Sequence, residues 1–360
     1  MRVLFLHQQP CVRALKYAVG LRAVRPELEL GFAYRGRTLT EFYGTGDELF
    51  DRWWRLGDDL AGDVERAITD FEPDLVHSHN LPDLLTVLAL DATKVPVIHD
   101  VHDMHSLRST PYEDGFPDPG DADELERAAV EGCAALITVS DVLLGELTAR
   151  YHLPAHTRVH PNYALARDLP EVLPEPAGGP PRIVYQGTLS RGGGHYDLYE
   201  MFEAIAAQGI ALDVFPAREP AAYRQLAGVT VHDPLPPAEL MRQLPAYDFG
   251  WAGFNAALNA AHLDTALPNK AFEYVGCGLP VLTLRHRALA RLVEEEGIGV
   301  VLDRVEDLGA ALAGLDGAGL RRRVATARGR FTVEGNMGQI VELYDELTRP
   351  VRTPTGPPAL

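Results

Sequence analysis

A chain of 360 residues with 46% hydrophobic content can bury two cores of ordinary size. With 51 acidic against 33 basic side chains and a formal net charge of −18, it lacks the basic stripe a nucleic-acid binder needs. Its cysteines, Cys11, Cys133 and Cys277, are scattered without metal-ligand or disulfide-framework spacing and suit free thiols in a reducing cytosol.

The chain opens on a strand-like run, Val3 to Leu6, without the basic and long apolar regions of a secretory signal. No apolar run reaches the roughly 18 to 20 residues that cross a bilayer, which still leaves room for a peripheral contact with lipid. Then come a helix over Arg13 to Ala23, a strand over Leu28 to Tyr34 and one long helix over Asp47 to Phe71. Leu75 to Ser78, Leu84 to Asp91, Val95 to His99, a helix over Asp121 to Glu131, Ala135 to Val139 and Val142 to Tyr151 continue the pattern. This strand-then-helix rhythm predicts a parallel, doubly wound α/β domain over residues 1–167.

Prolines, glutamates and the pair Gly178 and Gly179 mark residues 168–181 as a linker. A second rhythm fills 182–330. Its strands are Arg182 to Gln186, Ala211 to Phe215, Val229 to His232, Phe249 to Gly253, Val281 to Leu284 and Gly299 to Leu302. Its helices are Tyr199 to Ala207, Pro237 to Leu244, Asn269 to Gly276 and Ala288 to Glu295. A closing helix near Gly335 to Leu347 carries Met337, Ile340, Val341 and Tyr344 at helical spacing, and the Pro-rich tail, 350–360, is expected to be disordered.

Ligands of open α/β sheets sit beyond the carboxyl ends of strands. There the first domain offers His7, Gln8 and Gln9, then His77, His79 and Asn80, then His99, Asp100, His102, Asp103 and His105, all expected on one edge. A metal is not expected, because the VIHDVHDMHS run leaves a strand rather than a helix and no Cys joins it. Acid/base or hydrogen-bonding duty fits better, with His102 and Asp103 the favoured pair; the alternative is histidines that satisfy strand-end carbonyls.

In the second domain the first strand runs into Gly187, Thr188, Leu189, Ser190, Arg191 and Gly192 to Gly194. Glycines let backbone amides approach an anion and Arg191 adds a fork of donors, which reads as a phosphate cradle; the alternative is a flexible surface loop. It is neither a GK[ST] loop nor GxGxxG. Later, LPNKAFEYVGCGLPVLT puts Pro268 at a helix start and Lys270 and Glu273 on one helical face. Such a cation and carboxylate beside free N–H groups can hold a phosphate and a sugar hydroxyl, or form a surface salt bridge.

PDLVHSHN (Pro73 to Asn80), VIHDVHDMHS, ALITVSD (Ala135 to Asp141), VHPN (Val159 to Asn162), VYQGTLSRGGG (Val184 to Gly194) and LPNKAFEYVGCGLPV occur in that order. In this the chain resembles the GT-B glycosyltransferases of family 4, retaining enzymes that use nucleotide sugars. The resemblance implies two Rossmann-like domains facing a central cleft, in a cytoplasmic, bacterial protein. It implies a nucleotide-sugar co-substrate without cofactor or metal, an acceptor that is a small molecule or glycan, and a final segment, 331–349, that returns to the first domain. By position, Gly187, Thr188, Arg191 and Lys270 hold the donor pyrophosphate and Glu273 the ribose. His102 lies near the donor sugar, and His7, Gln8 and His79 face the acceptor. Two features depart from the family: the first of its paired glutamates falls on Thr265, beside Asp264, and the glycine-rich turn after the first strand is replaced by His7, Gln8, Gln9 and Pro10. The altered motif keeps open a catalytically silent GT-B protein that binds or activates a partner glycosyltransferase. A solute-binding protein and a nucleotide-sugar epimerase are the remaining alternatives.

Overall fold

Strands buried on both faces read as continuous apolar runs, and Val3, Leu4, Phe5 and Leu6 are all fully buried. The computed structural model describes residues 1–81, 83–110, 121–174 and 179–349. Among them, β1 (Arg2–His7), β2 (Glu29–Tyr34), β3 (Arg52–Arg55), β4 (Leu75–His79), β5 (Val97–Val101), β6 (Ala135–Thr138) and β7 (His156–Val159) form a parallel sheet, in the order β3-β2-β1-β4-β5-β6-β7. A second parallel sheet holds β8 (Arg182–Gly187), β9 (Ala211–Pro216), β10 (Val229–Val231), β11 (Phe249–Trp251), β12 (Val281–Leu284) and β13 (Gly299–Leu302), ordered β10-β9-β8-β11-β12-β13. In each sheet the winding reverses beside its first strand, between β1 and β4 and between β8 and β11, and the crevice at such a reversal is where this architecture holds ligands.

The long helix expected over Asp47 to Phe71 is instead a short turn, Asp47–Leu49, then β3, then the helix Leu60–Phe71. Trp53 stacks on Phe32 of β2 with ring centroids 4.9 Å apart, and aromatic packing on the sheet outweighs a helical pattern. Asp59 starts the later helix, its carboxylate accepting from the Gly62 amide. β7 and the helices Ala260–Thr265 and Gly317–Ala327 have no counterpart in the sequence reading.

The closing segment is two helices, Val333–Asn336 and Gly338–Thr348. Met337, Ile340, Leu343 and Tyr344 join the core of the first lobe with Val3, Phe5 and Ala18. Gly20 makes this docking possible, since a Cβ there would lie 2.5 Å from the Met337 methyl. The two passages between lobes run side by side at Ala164 and Thr332. Residues 175–178 of the linker and the tail 350–360 lie outside the described residues. Among the described residues no helix is long and apolar enough to cross a membrane.

Candidate functional site

Register builds the wall of the first lobe. Phe5 pairs with His77 and Leu6 with Ser78, so the next same-face neighbours are His7 and His79, and His79 in turn pairs with Asp100. Imidazoles follow one another toward the cleft: His77 to His79 at 5.1 Å, His79 to His7 at 5.1 Å and His7 to His102 at 6.1 Å between ring centroids. At the base, Asp100 is fully buried and gripped by Arg13, whose Nε lies 3.0 and 2.9 Å from the two carboxylate oxygens and whose Nη2 lies 2.9 Å from Oδ1. Burial alone would raise the Asp100 carboxyl, but Arg13, aided by His77 and His79, holds it well below the usual carboxylate range. Burial pushes His7 down to about 3 and also lowers His79 and His102, so these rings are neutral at physiological pH.

His77, His79 and Asp100 bring ligand atoms within 4.8 Å of one another. The set does not fit a metal ion, because the Arg13 guanidinium already occupies the carboxylate and its charge opposes a second cation there.

The strand-end groups do not all converge. His99 points to the opposite face, where Nδ1 meets Thr86 Oγ1 at 2.8 Å and Nε2 lies 3.0 Å from Asp83. His105 begins a separate turn, His105–Leu107, anchored through Ser106 to Glu126. His79 is fully buried beneath His7, so it does not face an acceptor directly. Gln8 is buried too, its carbonyl accepting from the amides of Arg35 and Gly36. Asp103 sits beside His102 but its Oδ1 lies 3.6 Å from Nε2 of His262 in the other lobe. Asn80 shapes this loop, accepting from the His102 amide at 3.2 Å and donating to the Asp103 carbonyl.

In the second lobe, Gly187 has φ +126°, and a Cβ there would lie 3.3 Å from Lys270 Nζ. The glycine turn and the helix Asn269–Gly276 are therefore in contact. Lys270 is buried; its ammonium donates to the Tyr185 hydroxyl at 3.0 Å, lies 4.1 Å from that ring's centroid and 4.9 Å from that of Phe254, and makes no salt bridge among the described residues. Burial pulls its pKa down to about 7 against the raising effect of Glu273. A buried cation beside a glycine turn and a helix start, without a salt bridge among the described residues, is chemically able to hold an anion. Glu273 accepts from Gln186 Nε2 at 2.7 Å and lies 3.9 Å from Lys16 Nζ of the first lobe.

Arg191 is half-exposed, 3.1 Å from Asp197 and stacked over Tyr199 at 4.1 Å. The Gly193 amide binds the same carboxylate, and the exposed Thr188 has its carbonyl bonded to the Tyr185 hydroxyl. At the loop's end His195 is lowered to about 4 by burial first and then by His262; it also feels Asp103, Arg108 and Lys270. The glycine loop, the LPNK helix and the loop after β5 thus border one space.

Several residues here escaped the sequence reading. His262 and Asn259 reach the first lobe, Asn259 through the Ser109 amide at 2.9 Å and the Thr110 hydroxyl at 2.8 Å. Lys16 donates to Asn269 at 2.6 Å and to the Asn162 carbonyl at 3.2 Å; being one of three lysines in the chain was its one signal. Thr265 is buried, its hydroxyl bonded to the His262 carbonyl and its own carbonyl to Ser140, so it offers the space no group.

Residues 14–163 match the family model described as Glycosyltransferase Family 4, and residues 193–329 the one described as Glucosyltransferase 3-like, C-terminal domain. Among solved structures, sucrose-phosphate synthase from Thermosynechococcus elongatus is 14% identical with TM-score 0.71, covering 96% of this chain and 99% of that one. A glycosyltransferase from Rickettsia africae ESF-5 is 12% identical with TM-score 0.68, covering 97% and 98%. HepE of Anabaena, solved in complex with UDP, is 15% identical with TM-score 0.68, covering 96% and 100%. No curated protein matches the chain in sequence.

Proposed function

We propose that this chain, which has the GT-B fold and matches the Glycosyltransferase Family 4 model over residues 14–163, moves a glycosyl group from a nucleoside diphosphate sugar to an acceptor hydroxyl with retention of anomeric configuration. The observation that carries the reading is the buried Lys270 ammonium, without a salt-bridge partner among the described residues and pressed against the Gly187 turn. HepE, in complex with UDP, shares the fold.

Glycosyl transfer from a diphosphate develops charge on the departing β-phosphate, which needs fixed positive groups in a dry site. Lys270 and the first amides of its helix supply them, with Gly187 giving close approach and Thr188 beside it. Arg191 joins when its guanidinium exchanges Asp197 for phosphate, and both partners of that exchange are charge-assisted bonds of similar strength. Glu273, already oriented by Gln186 and Lys16, accepts from the ribose hydroxyls. His102, neutral and held by Asn80, meets the glycosyl carbon from the facing lobe, with Asp103 beside it. His7 and Gln8 border the acceptor end. In a retaining transfer the acceptor attacks on the leaving-group side and the phosphate takes its proton, so no protein nucleophile is assigned. Neither metal nor cofactor is required in this scheme.

A second reading, a silent GT-B protein that binds a partner glycosyltransferase, is favoured only by the inward-turned Thr265. One experiment separates the two. Wild type, Lys270→Ala and Glu273→Ala are titrated with UDP-glucose, GDP-mannose, ADP-glucose and dTDP-glucose, and release of nucleoside diphosphate is followed. Equal binding by all three proteins removes the site assignment; tight binding without any turnover selects the silent reading.

A further inference from the structure

His262 lies on the helix Ala260–Thr265, is 5% exposed, and has a buried Nδ1 without a hydrogen-bond partner among the described residues. Its Nε2 faces Asp103 Oδ1 of the opposite lobe at 3.6 Å, and the His195 ring of the glycine loop lies 6.1 Å away. A carboxylate only accepts, so Asp103 favours the tautomer with the proton on Nε2 and leaves Nδ1 as a bare acceptor. A buried acceptor without a donor is costly, and such a group in a crevice between lobes is satisfied when a ligand brings a hydroxyl. Geometry narrows which part of the ligand does so. Phe254 lies 4.9 Å from Lys270 Nζ and 6.0 Å from the His195 ring, and His262 follows on the far side of His195, facing Asp103 on the loop that carries His102, so it stands between the cation and that loop, where the glycosyl group belongs.

We infer that His262, its tautomer set by Asp103 across the cleft, recognises a hydroxyl of the donor's glycosyl group and makes this protein select a sugar bearing that hydroxyl. The inference rests on the nucleotide-sugar reading above and assigns a specificity-determining residue within it. A phenyl ring is similar in shape to imidazole and can keep the packing against the His195 ring, so His262→Phe removes the acceptor while filling its space. His262→Gln keeps a side-chain acceptor at similar reach.

The test uses the full chain and equilibrium titration, with no need for an acceptor. UDP, GDP, ADP and dTDP are each compared with UDP-glucose, GDP-mannose, ADP-glucose and dTDP-glucose, and the quantity read is the ratio of nucleotide-sugar Kd to nucleoside diphosphate Kd for the pair that binds. In His262→Phe that ratio rises about tenfold, the effect of leaving a ligand hydroxyl unpaired, while the nucleoside diphosphate binds as in wild type. In His262→Gln the ratio returns toward the wild-type value. An unchanged ratio in His262→Phe overturns the inference. An equal loss for nucleoside diphosphate and nucleotide sugar assigns His262 to structure alone and overturns it as well. If wild type binds none of the nucleoside diphosphates, the nucleotide-sugar reading has failed and this inference falls with it.

Discussion

Lys16 of the first lobe donates a 2.6 Å hydrogen bond to Asn269 of the second, the residue that opens the helix presenting Lys270. Two of the chain's three lysines thus meet at one helix start, one tying the lobes together and the other lacking a salt bridge among the described residues. Both are buried and both are lowered, Lys16 to about 8 and Lys270 to about 7, with burial the first cause in each.

That shift sets a pH dependence of opposite sign for folding and for binding. Between about 7 and the ordinary value of 10.5 the unfolded chain carries the proton on Lys270 and the folded chain does not, so stability from this group rises with pH across that window. Nucleotide-sugar binding needs the ammonium, so affinity is flat below about 7 and weakens above it by up to about tenfold per pH unit. Titration calorimetry and chemical denaturation from pH 6 to 9 read both trends; Lys270→Met abolishes the first and binds donor at least tenfold more weakly.

Gly187→Ala forces a side chain onto a backbone at φ +126° and within 3.3 Å of Lys270 Nζ. The expected cost is about 1–3 kcal/mol in urea unfolding, accompanied by a loss of nucleotide-sugar affinity as the lysine is displaced.

Arg13→Met strands the fully buried Asp100 carboxylate. The loss is about 3–5 kcal/mol at pH 8. In wild type the depressed carboxyl contributes stability above its unfolded pKa, which is lost only as pH falls through the lower folded value. In the variant the carboxyl instead protonates readily, so the difference between the proteins shrinks toward pH 4. Combining the change with Asp100→Asn recovers most of the stability at pH 8.

His102→Ala removes a neutral ring held over the cleft by Asn80. Nucleotide-sugar affinity falls by only a few fold while the transfer rate falls about 100-fold or more. Asn80→Ala, which frees the same loop, reproduces the rate loss in weaker form, and steady-state kinetics separate the two effects.

Incubation with EDTA leaves melting temperature and nucleotide-sugar binding unchanged, because Arg13 occupies the carboxylate of the His77, His79 and Asp100 cluster. A drop in melting temperature restored by zinc alone counts against that assignment.

Local pattern carried much of this protein. Apolar runs of strand length with helices between them are properties of neighbouring residues, so two parallel sheets, the Gly187 turn and the Lys270 helix were legible from the chain. The split of Asp47 to Phe71 was not, because what makes β3 a strand is Trp53 lying on Phe32 of the adjacent strand. Nor was the sorting of the histidines: His77, His79 and His99 look alike in sequence, and it is strand register that turns two toward Asp100 and one toward Asp83. The groups that span the cleft were beyond sequence reasoning altogether. Lys16 meets Asn269 across 253 residues of chain, and His262 meets Asp103 from another lobe, so only the packing of the lobes brings these polar groups within reach of one another. Periodicity is decided by contacts a few residues apart; electrostatic partners in a cleft are decided by distance in space, which folding alone supplies.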